Sequence, residues 1–311
     1  MNKNQRIIFM GSPSIAREYL QTLIKKKFNI IAVYTQPPRP QGRGMVIQNS
    51  PVHQEAMQHK IPVYYPNNFK EQEIINTFIN LNADLVVVMA YGKLLPLDIL
   101  NTPSYGCINI HTSLLPRWRG AAPVEYALLN DDKQTGVTIF RLVGKFDAGP
   151  ILSKVSISIE KDMNKDDLLE KLTLVGKNLL VETLPNYFNN KITLKEQDIK
   201  KVAYASKISS ELTRINFNDN TINIFNKVRA FSTKPGAWFM FNNERFKIIK
   251  CQTSMETGIP STIVNSEFNI ACVGGLIVPK IIQREGKKSM GIGEFIKGFE
   301  FTIGEKVNVQ I

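Results

Sequence analysis

Apolar residues follow two regimes along this 311-residue chain. In roughly the first two-thirds, short continuous apolar runs alternate with segments whose apolar positions recur every three or four residues. Residues 83–90 (ADLVVVMA) form an apolar run of the sort a parallel strand buried on both faces needs, 6–11 (RIIFMG) reads as a buried strand, and 28–35 and 61–65 read as further strands. Between them Ile15, Ala16, Tyr19, Leu20, Leu23 and Ile24 repeat at helical spacing, with Ser12 placed to cap that helix and Pro13 suited to its first turn. Residues 50–59 and 71–81 predict two further helices. A run opening at Gly106 begins as a strand and passes into a long irregular stretch before a helix at 124–129. Residues 136–143 alternate as another strand, and 162–189 read as a long helix with acids in its first turn, where they favour the helix dipole. This β-α-β order predicts an α/β domain over 1–189: an open, mostly parallel, Rossmann-like sheet with helices on both faces. A polar, Lys-rich linker is expected at 190–208. From 209 to 311 the pattern changes to a helix at 221–230 and short strands within 238–251, 261–271, 275–279 and 301–311, separated by Gly-rich turns, which predicts a smaller C-terminal β-barrel.

One stretch fits neither regime. Residues 36–51 (QPPRPQGRGMVIQNSP) are dense in Pro and Gly, lack periodicity and carry Arg39 and Arg43. Loops this long inside a compact domain are functional or disordered; with little apolar surface to bury, this one is expected to be disordered when free. Its two arginines suit a phosphate-rich partner. Charge points the same way without deciding it: 39 Lys and Arg against 27 Asp and Glu give +12, a general attraction to polyanions that leaves nucleic-acid binding open. No apolar run approaches the ~20 residues of a membrane span, and the first residues pass directly into a strand pattern, so a cytoplasmic protein without membrane contact is expected. Cys107, Cys251 and Cys272 are widely spaced and make no ligand pattern with His53, His59 and His111, so neither disulfides nor a metal is expected. The lone glycine after the first strand is no G-x-G-x-x-G, which argues against a dinucleotide cofactor.

The chemistry concentrates in residues 106–130, GCINIHTSLLPRWRGAAPVEYALLN, and in FDAGPI at 146–151. Strand periodicity sends Asn109 and His111 to the same side. Singly, an Asn or an Asp-Ala-Gly is most simply a turn former, and a lone His a hydrogen-bonded structural group. Together, Asn109, His111 and Asp147 supply a neutral donor, a titratable group and a carboxylate, the set needed to hold a developing oxyanion and move a proton. A strand end followed by an irregular segment is also where open α/β sheets place ligands.

INIHTSLLPRWRGAAP, TGVTIFRLV and FDAGPIL resemble the signature of the 10-formyltetrahydrofolate-dependent formyltransferases. The resemblance implies that Asn109, His111 and Asp147 are catalytic and that 10-formyltetrahydrofolate is the co-substrate, with no metal. Ser113, Leu114, Leu115 and Pro116 match the segment that lines the family's folate pocket, although the apolar three read equally well as packing. The neighbouring strand end, Met89, Ala90, Tyr91 and Gly92, is expected beside it. Over the whole chain the likeness is to the branch acting on initiator methionyl-tRNA: Gly42 and Arg43 match the Gly-Arg-Gly core of its tRNA loop, joined by Arg39. The C-terminal domain becomes an OB-like tRNA binder, with Lys207, Arg229, Lys247 and Lys250 as its phosphate contacts, and a monomer is expected. Arg117, Trp118 and Arg119 read equally well as a fold-stabilising stack and are kept out of the catalytic set. A glycinamide ribonucleotide formyltransferase would leave the arginine loop and C-terminal domain unexplained. A formyltetrahydrofolate hydrolase and a sugar-nucleotide formyltransferase stay open.

Overall fold

The computed structural model describes residues 4–41 and 45–307. They form two compact units, Met1–Gly120 with Thr135–Ile157 and Lys171–Tyr204, and Ala121–Gln134 with Ser158–Glu170 and Ala205–Ile311. In chain order the elements are β1 (Ile7–Gly11), α1 (Ser14–Lys25), β2 (Ile30–Tyr34), β3 (Arg39–Gln41), β4 (Val46–Gln48), α2 (Pro51–Gln58), β5 (Val63–Tyr64), α3 (Gln72–Asn80), β6 (Leu85–Met89), α4 (Leu97–Asn101), β7 (Cys107–His111) and β8 (Arg119–Gly120). There follow α5 (Pro123–Leu129), β9 (Gln134–Arg141), β10 (Ile151–Ser158), α6 (Lys165–Phe188), β11 (Tyr204–Ala205), α7 (Thr221–Phe231), β12 (Ala237–Phe241), β13 (Glu244–Ser254), β14 (Ile270–Cys272), β15 (Gly275–Arg284), β16 (Ser289–Gly291) and α8 (Ile292–Phe295).

The first unit is built on a seven-stranded sheet in the order β10-β9-β7-β6-β1-β2-β5. β5, β2, β1, β6 and β7 run parallel and β9 is antiparallel to β7, which is the mostly parallel open sheet the sequence predicts. Every residue of β1 and β6 is buried, as their unbroken apolar runs require. The chain builds outward from β1 to β2 and β5, then returns to the other side of β1 as β6 and β7. That reversal creates a switch point where neighbouring connections diverge and a ligand has room. Gly11 closes β1 tightly: a Cβ there would lie 2.7 Å from the Met89 carbonyl oxygen and from the Ala16 Cβ. The glycine therefore serves packing, consistent with the missing dinucleotide fingerprint.

Three local expectations are corrected. Pro13, not Ser12, precedes α1, and the Ser12 hydroxyl instead accepts the Gln36 N–H at 3.0 Å, tying the end of β1 to the end of β2. Within 36–51 the described segments are not structureless: β3 and β4 pair antiparallel with Arg39 opposite Gln48. Main-chain pairing replaces a buried face there, since Met45, Val46 and Ile47 stay exposed. Finally, 151–158, which pattern reading leaves unassigned, is the edge strand β10, with half-buried and exposed positions alternating along it.

The second unit carries the antiparallel sheet β12-β13-β15-β14, with β16 added on β15, and α7 packs on β13 and β15. Its core is aromatic. Phe239 stacks on Phe246 at 5.6 Å between ring centroids, and Phe268 meets Phe295 and Phe301 edge-on at 5.2 and 4.9 Å. The predicted small barrel is present with less strand than expected. Residues 261–271 supply β14 and isolated bridges only, because Val264 and Asn269 close a turn by a 2.9 Å main-chain bond. Residues 301–307 contribute only the bridge from Lys306 to Thr262.

Candidate active site

Asn109 and His111 stand on β7, whose neighbours are β6 and the antiparallel β9; Asn109 lies opposite Phe140 and His111 opposite Thr138. Both ring nitrogens of the buried His111 have defined surroundings. Nε2 lies 2.8 Å from the Trp118 carbonyl oxygen. A carbonyl only accepts, so Nε2 carries a proton and Nδ1 is the nitrogen that gains or loses one. Nδ1 faces Asp147 Oδ2 at 3.9 Å, outside hydrogen-bond reach. The imidazole is therefore held in orientation by the Trp118 carbonyl. The carboxylate has its own anchor, since Asp147 Oδ2 accepts the Gly120 N–H at 2.9 Å. The half-buried Asn109 amide takes part in none of the hydrogen bonds among the described residues, which leaves both of its donors for a ligand.

The segment after β7 is shaped by β9. Thr138 Oγ1 donates to the Ser113 carbonyl at 2.7 Å and accepts the Leu115 N–H at 3.1 Å. The Ser113 hydroxyl donates to the Arg117 carbonyl at 2.6 Å. Ser113 is thus committed to the loop itself, and Leu115 is buried in packing, so half-buried Leu114 and Pro116 are the members of this quartet with accessible surface. Next to β7, the end of β6 divides similarly. Met89 and Tyr91 are buried, while Ala90 and Gly92 are exposed with φ of +49° and +75°, baring their main-chain polar groups. Gln36 Nε2 donates to the Tyr91 carbonyl at 2.8 Å and Gln36 Oε1 accepts from Arg39 at 3.0 Å, so the β3–β4 pair is stitched to this strand end. An exposed peptide edge at Ala90–Gly92, an apolar surface at Leu114 and the uncommitted Asn109 amide suit a flat heterocycle with a polar rim and a carbonyl-bearing substituent. Of the expected stack, Arg117 does lie over the Trp118 ring at 4.2 Å. Arg119 points elsewhere, to Gln197.

The residues expected to meet phosphate separate clearly. Gly42 and Arg43 lie outside the described residues. Arg39 is exposed on β3. In the second unit Lys207 and Lys247 line one cavity of about 590 Å³ together with Ser209, Thr213, Trp238 and Arg245. Lys250 is exposed but does not line it. Arg229 corrects the expectation outright. It is buried, paired with Asp131 at 2.9 Å and bonded to Asn226 Oδ1 at 2.9 Å, so its guanidinium serves the unit's interior and cannot face a phosphate. Of this lining the sequence reading names only Lys207 and Lys247, and it misses Arg245 and Trp238 among others. Arg245 sits two positions before Lys247 on β13, the spacing that puts both on one face, and its guanidinium lies 4.1 Å from the Trp238 ring. Among the described residues no group of three or more His, Cys, Asp or Glu is placed to hold a metal, and no helix is long and apolar enough to cross a membrane.

Comparison with known proteins places this geometry. Residues 5–184 match the formyl transferase family and residues 207–300 the formyl transferase C-terminal domain. The methionyl-tRNA formyltransferase of Rickettsia bellii is 39% identical over 304 residues, covering 97% of this chain and 99% of the relative. That of Pelagibacter ubique is 37% identical over 305 residues, covering 97% and 98%. Among solved structures, the sugar 3N-formyl transferase WlaRD, in the presence of dTDP and 5-N-formyl-THF, shares the fold at a TM-score of 0.67 and 21% identity, covering 91% of this chain and 99% of that one. The chain belongs to the formyl transferase family.

Proposed function

We propose that this protein transfers the formyl group of 10-formyltetrahydrofolate to the α-amine of methionine esterified to initiator tRNA. The observation that carries this reading is the end-to-end likeness to methionyl-tRNA formyltransferases, C-terminal domain included. Aminoacyl-tRNA as a substrate is consistent with a cytoplasmic setting, and the monomer expected from sequence belongs to the same reading.

Bound 10-formyltetrahydrofolate supplies the formyl group as an electrophilic carbon; the remaining requirements fall on the chain. Leu114, Pro116 and the exposed main chain of Ala90 and Gly92 hold the heterocycle. Asn109 donates its uncommitted N–H to the formyl oxygen as negative charge grows there, a contribution whose loss typically slows turnover ~100- to 1000-fold. His111, with its Nε2 proton fixed on the Trp118 carbonyl, takes the proton of the attacking amine at Nδ1. Asp147 stabilises the imidazolium so formed across 3.9 Å. Nδ1–H then donates towards the oxyanion and returns its proton to the departing folate nitrogen, leaving His111 as it began. Lys207, Lys247 and Arg245 offer the second unit's cavity a positive lining for tRNA phosphates.

The test is transfer of labelled formyl from 10-formyltetrahydrofolate to initiator methionyl-tRNA, with elongator methionyl-tRNA, glycinamide ribonucleotide and an amino-sugar nucleotide run in parallel. Product on initiator methionyl-tRNA alone is expected. Consumption of the folate with formate released would instead identify a hydrolase, and a formylated sugar nucleotide would move the acceptor assignment.

A further inference from the structure

The segment that pattern reading treats as a linker delivers one buried polar side chain to the Asp147 loop. Gln197 donates both amide hydrogens, to the carbonyls of Asp147 at 2.9 Å and Gly149 at 2.8 Å. Its Oε1 accepts from Arg119 Nε at 3.0 Å and Arg119 Nη2 at 2.8 Å. Two donors and two acceptor sites are all a glutamine side chain has, so every one is used. The guanidinium presents only donors and the carbonyls only acceptors, which fixes the orientation of the amide. The circuit closes through the catalytic group: Gly120, next to Arg119, donates its N–H to Asp147 Oδ2.

The loop that this circuit restrains needs restraint. Asp147 adopts φ of +45°, uncommon for a residue with a side chain. At Gly149 a Cβ would lie 1.8 Å from the Arg141 carbonyl oxygen, so the chain turns there against its neighbour. Gln197 thus holds the main chain of this loop while the Gly120 N–H holds the Asp147 carboxylate. We infer that Gln197, clamped by Arg119, is a positioning residue of the formyl-transfer site, holding Asp147 where its carboxylate serves His111 Nδ1. The inference rests on the proposed function for its kinetic consequence and on geometry alone for the clamp.

The experiment compares Gln197→Leu and Gln197→Glu with the unaltered chain. Glutamate keeps a partner for Arg119 but offers no N–H to the two carbonyls, so it separates fold support from loop placement, and it provides the test if the leucine variant does not fold. Both variants are expected to lose at least about fivefold in kcat with KM for folate and for tRNA within about threefold, since the loss falls on the transition state. In an Asp147→Asn background the same replacements are expected to cost less than about twofold more, because residues acting as one unit are not additive. A readout independent of activity is hydrogen exchange at the Gly120 amide, whose protection is expected to fall at least about tenfold. A kcat loss below fivefold in folded variants, an undiminished further loss beside Asp147→Asn, or unchanged Gly120 protection would each overturn the inference. If the unaltered enzyme formylates no methionyl-tRNA, the functional reading fails while the Gly120 measurement still decides the clamp.

Discussion

Replacing Arg229 by Met separates a structural cation from a phosphate-binding one. The guanidinium is buried to 7% side-chain exposure and makes four kinds of contact. It bonds Asn226 Oδ1 at 2.9 Å, pairs with Asp131, points Nη1 at the Lys161 carbonyl at 3.3 Å and lies 5.6 Å from the Phe225 ring. Burial lowers its pKa while Asp131 and Asp162 oppose that, and an arginine still keeps its charge. The losses differ. Asn226 is almost wholly buried, so its abandoned oxygen costs ~1–3 kcal/mol. Asp131 is 38% exposed and rehydrates, which limits the ion pair to ~0–1 kcal/mol. Lys161 is exposed, and its carbonyl finds water. A total of ~1–4 kcal/mol follows; at a urea slope of about 2 kcal/mol per molar, the midpoint of the second unit should drop by ~0.5–2 M. Trp238 fluorescence reports that unit in a Trp118→Phe background, as the chain has only these two tryptophans. An unchanged midpoint, with tRNA affinity weakened and its salt slope reduced by about one, would refute the structural assignment.

Asn109→Ala should slow turnover ~100- to 1000-fold without moving the melting transition; activity within tenfold of the unaltered enzyme would remove it from the mechanism. Lys207→Ala and Lys247→Ala should leave stability unchanged, apart from the bond Lys247 makes to the Pro235 carbonyl, and each should lower the salt slope of tRNA binding by about one, read by filter binding over a salt series. Burial pushes the Cys107 and Cys251 thiols up to about 12, so iodoacetamide at pH 8 should label them only after unfolding. Because the folded values lie above the ordinary thiol value, this contribution to stability is complete below about pH 8.5 and is lost as pH rises towards 12; urea midpoints that rose over that window would contradict the sign.

Much of the first unit is legible in the chain because its strands are buried on both faces and leave continuous apolar runs, as in LVVVM of β6. The placement of Asn109 and His111 follows from strand period alone. What escapes is set by partners distant in sequence. The β3–β4 pair buries no face and so leaves no periodicity, its order coming from main-chain pairing and from the link of Gln36 to Tyr91. Gln197 carries no local signal, because its partners lie about fifty and eighty positions earlier. Arg229 misleads in the opposite way: a basic residue near a helix end resembles a surface contact until Asp131 and Asn226 close around it. In the second unit the core is made of phenylalanine contacts between turns, so apolar residues at 261–271 and 301–307 advertise strands where the chain mostly turns.

The single hydroxyl of Thr138, bonded to both Ser113 and Leu115, has an entropic consequence for the loop after β7. Ordering a residue of a free loop costs ~1–2 kcal/mol of backbone entropy, which a flexible binding loop meets at every encounter with its ligand. Here that cost is met once, at folding, by a neighbouring strand. Thr138→Val, nearly isosteric but unable to bond, therefore hands the cost back to binding and should raise the KM for folate more than it lowers kcat.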